Sequence, residues 1–249
     1  MTLIRHVHSS GRHDRPAAAQ ERALHSYAAR RADVITLTEQ QGATHRRVLA
    51  QFQKTTGYDL AQGIGNGANC AILVDSDWTI EEVWADKVSN KEQRRGPGGP
   101  PPPEYVTALI RHKKTKKKAL VSVLHLPSNV EGDWFKKGGF KGRAYRVALW
   151  LEAERNWSKH LRKLRKRYKC KVIMVADWNL NFKRPVFRAL MKSLHPKLKL
   201  TWKKFRKAGT HHKRIIDATL TNCKIRAWAY LIDDDPSSDH RPYEEILAI

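Results

Sequence analysis

The chain has 249 residues, 41% of them hydrophobic, so it can bury a sizeable core in one large domain or two small ones. The 48 Lys and Arg residues exceed the 24 Asp and Glu residues, and the formal net charge is +24. This excess is far larger than solubility requires, and it favours a polyanionic partner, nucleic acid before membrane.

The cysteines and the hydropathy pattern restrict the class of protein. Three scattered cysteines without CxxC spacing argue against a disulfide framework or a zinc site and fit a reducing compartment. No apolar run approaches the roughly 20 residues of a membrane span. The N-terminus lacks the apolar core of a signal peptide, so we expect a soluble, intracellular protein without stable membrane association.

The N-terminal part of the chain predicts a strand, a helix and a second strand. Leu3 to Val7 alternates in the manner of a strand, and Ala17 to Arg31 is rich in residues that favour an amphipathic helix. Asp33 to Glu39 is a second strand that closes on a carboxylate. In such a βαβ unit the two strands run parallel, so Glu39 should lie near the end of the first strand.

The next segments predict a helix followed by hairpins. Thr44 to Thr55 has a helical pattern. Gly63 to Gly67 resembles half of a phosphate-binding glycine loop, but a strand from Cys70 to Val74 follows it instead of a helix. A hairpin is therefore the favoured interpretation. Trp78 to Val88 predicts a further strand.

Two basic segments lie in the middle of the chain. Residues 91–103 contain three glycines and four consecutive prolines and predict a stiff, exposed loop. Tyr105 to Ile110 and Ala119 to Leu126 are strands joined by a basic turn, which is either a solvated tip or a grip on a phosphate backbone. The cations that we select for nucleic-acid contact here are Arg94, Arg95, Lys113 and Lys114.

Arg143 to Tyr168 is the longest predicted helix. Apolar residues at steps of three and four predict its buried stripe, namely Trp150, Ala153, Trp157, Leu161, Leu164 and Tyr168. A second face is cationic and predicts either a solvated surface or a contact with nucleic acid. Its members are Lys159, Arg162, Lys163 and Lys166.

The strand after this helix, Val172 to Ala176, is buried by composition and ends at Asp177 and Asn179. Side chains two apart in a strand point the same way, so both should face one cleft, with Trp178 on the opposite side. A carboxylate that accepts a proton beside an amide that holds an anionic oxygen suits phosphoester chemistry. An ordinary strand that ends in an Asx turn has the same sequence pattern.

The C-terminal part predicts a helix over Pro185 to Leu194, where proline suits the first turn, and strands over His211 to Leu220 and Ala227 to Ile232. Asp239 and His240 stand just before the last strand.

Polar residues at or near strand ends therefore recur along the chain: Glu39, His125, Asp177, Asn179, Asp217, Asp239 and His240. In this order and at these intervals they resemble the endonuclease/exonuclease/phosphatase superfamily, which contains deoxyribonuclease I, exonuclease III and the inositol polyphosphate 5-phosphatases. The resemblance covers essentially the whole chain. The matching segments are Ile35–Glu39, Leu124–Leu126, Ala176–Asn179, Arg214–Asp217 and Ser238–Pro242, and Cys70–Val74 resembles the family's second hairpin.

The resemblance implies an α/β fold of the deoxyribonuclease I type. This is a four-layer αββα sandwich, in which two packed mixed sheets carry the helices on their outer faces. We expect a single domain over residues 1–249, with basic loop insertions around residues 90–118 and one active cleft at the sheet ends. The implied cofactor is Mg²⁺, with Mn²⁺ as the alternative.

The resemblance also assigns catalytic roles. Asp177 would orient or deprotonate the attacking water, and Asn179 would hold a phosphate oxygen. Asp217 would fix the imidazole of His240, which stabilises the pentavalent phosphorus centre. His125 would supply a second imidazole.

The implied metal ligands are Glu39 and Asp239, and the metal site also carries the one departure from the family. The family's first strand has an asparagine at a position that His6 occupies in this chain, or His8 if the register differs by two. An imidazole is a softer ligand than an amide, so His6 would favour Mn²⁺ or contact the metal only through another ligand.

Chemistry and charge together predict a metal-dependent nuclease, a monomer that hydrolyses phosphodiester bonds of DNA, with RNA as a second substrate class. The basic residues, Arg214 included, would follow the phosphate backbone with little base readout. One alternative is a phosphomonoesterase of the same fold that acts on phosphoinositides or small phosphates. A catalytically inactive nucleic-acid-binding relative is the other.

Overall fold

A computed structural model of the protein describes residues 1–10, 16–40, 42–63, 69–89, 103–128, 130, 141–201, 210–211, 214–230 and 240–249, with backbone alone for 141–144. These ranges contain two six-stranded sheets. Sheet A consists of β1 (Leu3–Ser10), β2 (Val34–Thr38), β3 (Asp59–Gln62), β4 (Cys70–Val74), β11 (Lys224–Tyr230) and β12 (Tyr243–Ala248). Sheet B consists of β5 (Trp78–Lys87), β6 (Glu104–His112), β7 (Lys118–His125), β8 (Lys171–Asp177), β9 (Lys199–Leu200) and β10 (Asp217–Thr221).

The helices of these ranges are α1 (Ala17–Ala29), α2 (Gly42–Thr56), α3 (Lys141–Tyr168) and α4 (Pro185–Leu194). The strand orders are β11-β12-β1-β2-β4-β3 and β5-β6-β7-β8-β10-β9. Both sheets are mixed, since β1 pairs parallel with β2 and β7 parallel with β8 while their other pairs are antiparallel. None of the helices described here combines the length and hydropathy needed to cross a bilayer.

Three buried clusters separate four layers. The inner faces of the two sheets pack on one another through residues such as Ile72, Val121 and Val175. Tyr27 of α1 and Phe52 of α2 lie in a second cluster on the outer face of sheet A. The third cluster joins sheet B to α3 and α4 and includes Trp150, Trp157, Phe187 and Met191. This architecture confirms the predicted αββα sandwich.

The sequence of β4 shows why the inner strands are apolar on both faces. All five of its residues are buried. Cys70, Ile72 and Val74 belong to the cluster between the sheets, whereas Ala71 and Leu73 belong to the cluster under α1 and α2. A strand covered on both faces has no solvent side, and its sequence therefore lacks polar alternation.

The buried stripe of α3 lies where the spacing predicts it. Two of its tryptophans donate hydrogen bonds into sheet B, from Trp150 Nε1 to the Trp178 carbonyl oxygen at 2.8 Å and from Trp157 Nε1 to Ser122 Oγ at 2.7 Å. Trp178 packs on both indoles, on the helix side of the sheet. The prediction that Trp178 turns away from the cleft is confirmed.

Several predicted boundaries differ from the structure. β1 extends to Ser10 because His8, Ser9 and Ser10 pair with β2 and are buried despite their polarity. The predicted strand over 211–220 is wrong in its first half, where His211 and Arg214 exchange backbone hydrogen bonds in a tight turn. β3 and β4 form the predicted hairpin. Residues 64–68 of the glycine segment, 90–102 of the proline-rich loop and 231–232 lie outside the described residues.

Candidate functional site

Three neighbouring strands of sheet B bring polar residues into one row. His125 ends β7 and pairs with Asp177 at the end of β8. Asp177 in turn pairs with Asp217, the first residue of the antiparallel strand β10. Since paired residues in adjacent strands lie only about 5 Å apart, this register alone brings the three side chains together.

Sheet A contributes the opposite wall of the site. Glu39 follows β2, and its Oε1 lies 3.6 Å from Nε2 of His125. His240 precedes β12, and its Nε2 lies 4.0 Å from Oδ2 of Asp177. Residues far apart in the sequence therefore meet at one end of the two packed sheets.

Glu39, Asp177 and His240 offer ligand atoms that all lie within 4.8 Å of one another. Two of these atoms are carboxylate oxygens, which suit a hard divalent cation such as Mg²⁺, and the third is an imidazole nitrogen. Burial and the nearby Asp217 carboxylate raise the pKa of Asp177 well above its usual value. The raised pKa shows that holding several carboxylates together in a buried site disfavours their ionised form. A bound divalent cation would offset this electrostatic cost.

Two residues of the site have left-handed backbone conformations. Glu39 has φ 60° and Asn179 has φ 54°, although neither is a glycine. Such conformations cost on the order of 1 kcal/mol each and persist only when the surroundings enforce them. Strained residues of this kind concentrate at functional sites.

The backbone of Asn179 also changes the argument made from the sequence. The strand ends at Asp177, so alternation along a strand does not place the two side chains, and that derivation is wrong. Instead Asp177 Oδ1 accepts a hydrogen bond from the Asn179 backbone N–H at 3.0 Å, in an Asx turn. Asn179 Nδ2 donates to the Leu126 carbonyl oxygen at 2.8 Å, which fixes the amide.

The two histidines of the site have opposite pKa shifts. Burial lowers the pKa of His125 to about 4, so its imidazole is neutral at pH 7. Burial also disfavours the charged form of His240, but the Asp217 carboxylate outweighs it and raises the pKa of His240 to about 10. One ring is therefore a neutral donor and the other a cation, which is the division of states expected of an acid–base site.

Hydrogen bonds orient both rings. His240 Nδ1 lies 2.7 Å from Asp217 Oδ2, so the Nε2–H of the cation points towards Asp177. Asn69 Nδ2 lies 3.0 Å from His125 Nδ1. Because the amide donates there, the proton of the neutral ring sits on Nε2, which faces Glu39 and Asp177.

Asp217 is the fixed anion of the site. Burial alone would raise its pKa, but the contact with His240 outweighs that effect and lowers the pKa below its usual range. Thr210 supports the strand at this point, because its Oγ1 accepts the backbone N–H groups of Ile216 and Asp217 at 3.0 Å each.

A buried polar chain continues from Asp217 into the space between the sheets. His8 Nε2 lies 3.6 Å from Asp217 Oδ1, and His8 Nδ1 lies 3.0 Å from Thr36 Oγ1. The same hydroxyl lies 2.8 Å from Nε2 of His6, whose Nδ1 is 3.2 Å from Glu245. The hydroxyl can donate to only one ring and must accept from the other, so the tautomers of His6 and His8 are linked through Thr36.

No family model and no curated protein matches the chain. An endonuclease/exonuclease/phosphatase family protein from Bacteroides thetaiotaomicron superposes with a TM-score of 0.74 over 99% of this chain and 95% of its own, at 14% identity. The chain has the endonuclease/exonuclease/phosphatase fold. The resemblance drawn from the motifs is thus confirmed as a likeness of fold.

Two further structures have the same fold but hold different ligands. D. rerio TDP2 complexed with a single-strand DNA product gives a TM-score of 0.67 at 17% identity, over 100% of both chains. ANGEL2, described as a 2′,3′-cyclic phosphatase and bound to adenosine-2′,3′-vanadate, gives 0.73 at 13% identity, over 98% of this chain and 95% of its own. At these identities the comparisons establish the fold but not the substrate, which must be inferred from the residues of the site.

Within this fold the structure brings together most of the predicted catalytic and metal-binding residues and leaves the others elsewhere. Six of them converge at the cleft or in its walls: Glu39, His125, Asp177, Asn179, Asp217 and His240. Asp239, Arg94 and Arg95 lie outside the described residues. His6 is fully buried between Thr36 and Glu245 and is not among the residues that offer ligand atoms next to Glu39. His8, two residues later, is the histidine that approaches the site.

The predicted nucleic-acid contacts divide by location. Arg214 lies in the tight turn with His211, whose ring is 4.7 Å from that of His240. The turn that carries Lys113 and Lys114 joins β6 to β7 at the end of sheet B opposite His125. Lys159, Arg162, Lys163 and Lys166 are exposed on α3, whose last turn approaches that same opposite end.

Sequence reasoning missed Asn69, Thr36 and Glu104. Asn69 is the first described residue before β4, and its backbone N–H donates to Glu104 Oε1 at 2.8 Å. A polar residue at the start of a buried strand was the available signal, but it does not reveal a partner in the other sheet. Thr36 stands in a run of residues that favour a β-strand, so its sequence context gives no sign of a polar role.

Proposed function

We propose that the chain is a metal-dependent hydrolase of phosphate esters that cleaves phosphodiester bonds of DNA. The observation that carries the proposal is the His240–Asp217 ion pair, which lies beside the converging carboxylates of Asp177 and Glu39. A fixed imidazolium next to a site for a divalent cation suits the extra negative charge of a pentavalent phosphorus centre. A scaffold without chemistry has no need of this electrostatically costly arrangement.

The donor set fits Mg²⁺ or Mn²⁺. Glu39 supplies a carboxylate oxygen, and Asp239 is proposed as a further ligand from the motif alone. His240 suits a different role, because its raised pKa and its bond to Asp217 keep a proton on the nitrogen that faces the cleft. When bound, the cation would neutralise charge on the scissile phosphate and on its leaving oxygen.

The protein groups then divide the hydrolytic step. Asp177 Oδ1 accepts the Asn179 N–H, and Oδ2, which lies 3.6 Å from His125 Nε2 and 4.0 Å from His240 Nε2, would orient a water and accept its proton. The water oxygen forms the new bond to phosphorus, the ester P–O bond breaks, and the leaving oxygen takes a proton from solvent. The Nε2–H groups of His240 and His125 and the second hydrogen of the Asn179 amide are the donors for phosphate oxygens.

Net charge and fold support DNA as the substrate. A surface of +24 suits a long polyanion better than a small phosphate ester. The TDP2 structure of the same fold holds a single-strand DNA product. RNA remains the second polyanion to compare.

The test is cleavage of supercoiled plasmid and of end-labelled linear DNA with Mg²⁺ or Mn²⁺, with and without EDTA. We expect Asp177→Asn to lower the rate by about 10²- to 10⁴-fold, as for the loss of a general base. The control is Asp59→Asn, at an exposed position on β3, which should cleave like the wild type. Undiminished cleavage by Asp177→Asn would refute the assignment.

A phosphomonoesterase is the second candidate, favoured by the cyclic phosphatase of the same fold. Release of inorganic phosphate from soluble inositol phosphates, with no nicking of plasmid under the same conditions, would decide for it. Binding of DNA without turnover in any metal would instead indicate an inactive relative.

A further inference from the structure

A second basic feature lies at the end of sheet B opposite the candidate site. An open cavity of about 1020 Å³ is bounded by the β6–β7 turn, the last turns of α3, the start of β8 and the segment between α4 and β9. Its floor is apolar and includes Leu161, Val172 and Met174. We call it the distal groove.

The wall of the distal groove has one sign of charge. No Asp or Glu side chain lines it in the described part of the chain. Eight of its cations also have no carboxylate partner among the residues described: Lys116, Lys117, Arg162, Arg165, Lys166, Lys169, Lys171 and Lys197. An adjoining cavity of about 600 Å³ adds Lys199 and Lys224, so the positive surface continues past β9 and β11.

Helix electrostatics explains only part of this cluster. Cations in the last turn of a helix interact favourably with its dipole, which accounts for Arg165, Lys166 and Arg167 of α3. Lys116, Lys117 and Lys197 come from two other elements, and the helix dipole gives no reason for their position. Their convergence on one cavity is therefore a separate observation.

Two of the lysines occupy backbone positions that favour glycine. Lys116 has φ 59° in the β6–β7 turn, and Lys169 has φ 51° immediately after α3. The residue after a helix is commonly a glycine when its backbone is left-handed, because glycine has no Cβ to clash. Both positions would therefore accept glycine without strain, so each lysine can be removed there without disturbing the turn.

The distal groove is separate from the cleft. Lys171 at the start of β8 lines the groove, and Asp177 at its end belongs to the site. Six residue steps along a strand span about 20 Å. A mononucleotide or a small phosphate ester cannot reach both, whereas a duplex longer than about 6 base pairs covers that distance at 3.4 Å per step.

We propose that the distal groove is a second binding site for the phosphate backbone of a nucleic acid, remote from the cleft. It deepens the proposed function, because the same strand would extend to the catalytic residues. Binding in the groove can nevertheless succeed or fail independently of hydrolysis. Contacts of this kind recognise charge and not sequence. The groove exceeds the size of a single phosphate, and its cations come from several elements, which favours an extended ligand.

The first experiment measures DNA affinity against salt concentration for Lys169→Gly, in the Asp177→Asn background with EDTA so that no cleavage occurs. Loss of one phosphate contact should weaken binding and reduce the slope of log affinity on log salt by about 0.7 to 0.9. Glycine suits this backbone, so the melting temperature should be equal or higher.

Arg31→Gly is the matched control, since Arg31 is also an exposed cation with a left-handed backbone, φ 56°, just after a helix. It does not line the groove. It should leave the affinity and the salt slope unchanged. Equal reductions in both variants would overturn the proposal, because they would mean that affinity depends on overall charge alone.

The second experiment uses Cys170, which lines the distal groove and is half-buried, whereas Cys70 and Cys223 are buried. A 30-nucleotide strand or a 30-base-pair duplex should slow alkylation of Cys170 several-fold, and inorganic phosphate or a dinucleotide should not.

An unchanged rate of Cys170 alkylation at saturating DNA would refute binding in the distal groove. So would protection by phosphatidylserine vesicles but not by DNA, which would indicate a membrane surface. If DNA protects Cys170 but is never cleaved, binding in the distal groove is supported and the proposed hydrolysis of DNA is refuted.

Discussion

Thr36 connects the two buried histidines of sheet A through a single hydroxyl group. His6 Nε2 and His8 Nδ1 both lie within 3.0 Å of its Oγ1, and all three residues are at most 1% exposed. Thr36→Val keeps the shape and leaves both ring nitrogens without this partner. We expect a loss of about 1–3 kcal/mol in the free energy of unfolding, measured by urea denaturation, from each buried group left unpaired.

Thr38→Val is the control for this change. Thr38 lies two residues further along β2 and is also fully buried, but its Oγ1 has no hydrogen-bond partner in the described part of the structure. Valine there should be neutral or stabilising. A comparable loss in both variants would mean that packing, and not the polar chain, determines the stability of this strand.

The residues of the cleft were largely predictable, because acids and imidazoles at strand ends are few and the sheet ends meet. Whether His6 or His8 approaches the cleft could not be predicted from the sequence. Both point to the same face of β1, and the pairing of β1 with β2, which sets His8 opposite Thr36, determines which of them approaches Asp217. That register depends on contacts between distant segments, which local sequence does not contain.

At the scale of whole elements, Glu104 links the two sheets beside the site. It begins β6 of sheet B, and its carboxylate accepts the backbone N–H of Asn69, next to β4 of sheet A. The side chain of Asn69 in turn contacts His125. Burial raises the pKa of Glu104 to about 7, despite the opposing effect of this hydrogen bond and of Lys87.

This raised pKa predicts a specific pH dependence of stability. A carboxyl group whose folded pKa lies above its unfolded value, near 4.5, binds more protons in the folded state between the two values. The contribution of Glu104 is therefore largest below pH 4.5 and is lost as the pH rises towards about 7. Glu104→Gln should remove that part of the pH dependence of the urea midpoint.

The control for this measurement is Glu21→Gln, an exposed position on α1. It should retain the pH profile of the wild type. If Glu104→Gln also follows the wild-type profile between pH 4.5 and 8, the buried carboxyl group is not responsible.

The elements themselves were predictable where the hydrophobic pattern is strong, as in the helical spacing of α3 and the continuous apolar run of β8. They were less so where polar residues are buried. The end of β1 is polar in sequence and a strand in structure, because pairing with β2 satisfies its backbone and the packed sheets bury its side chains. His211 and Arg214 stand in a strand-like sequence, yet they pair with each other through backbone hydrogen bonds, and the strand begins only at Asp217, which contacts His240.

At the scale of the molecule, the candidate site and the distal groove lie at opposite ends of sheet B. The cleft collects carboxylates around a place for a cation, and the distal groove collects lysines and arginines. The sequence indicated that both existed, through its net charge and its motifs. It did not show that the cations of the β6–β7 turn and of α3 lie far from the acids, because that arrangement follows from the direction of β7 and β8.

The central claim is that Glu39, Asp177 and His240 form one metal-dependent site. The most direct test is the rate of cleavage of end-labelled DNA across a titration of Mg²⁺ and of Mn²⁺, for the wild type and for Glu39→Gln. We predict no cleavage by either protein in EDTA and a metal requirement raised by at least about 10-fold in Glu39→Gln, because altered ligand environments typically cost 10- to 100-fold in affinity. Full cleavage in EDTA, or the same metal dependence in both proteins, would contradict the account.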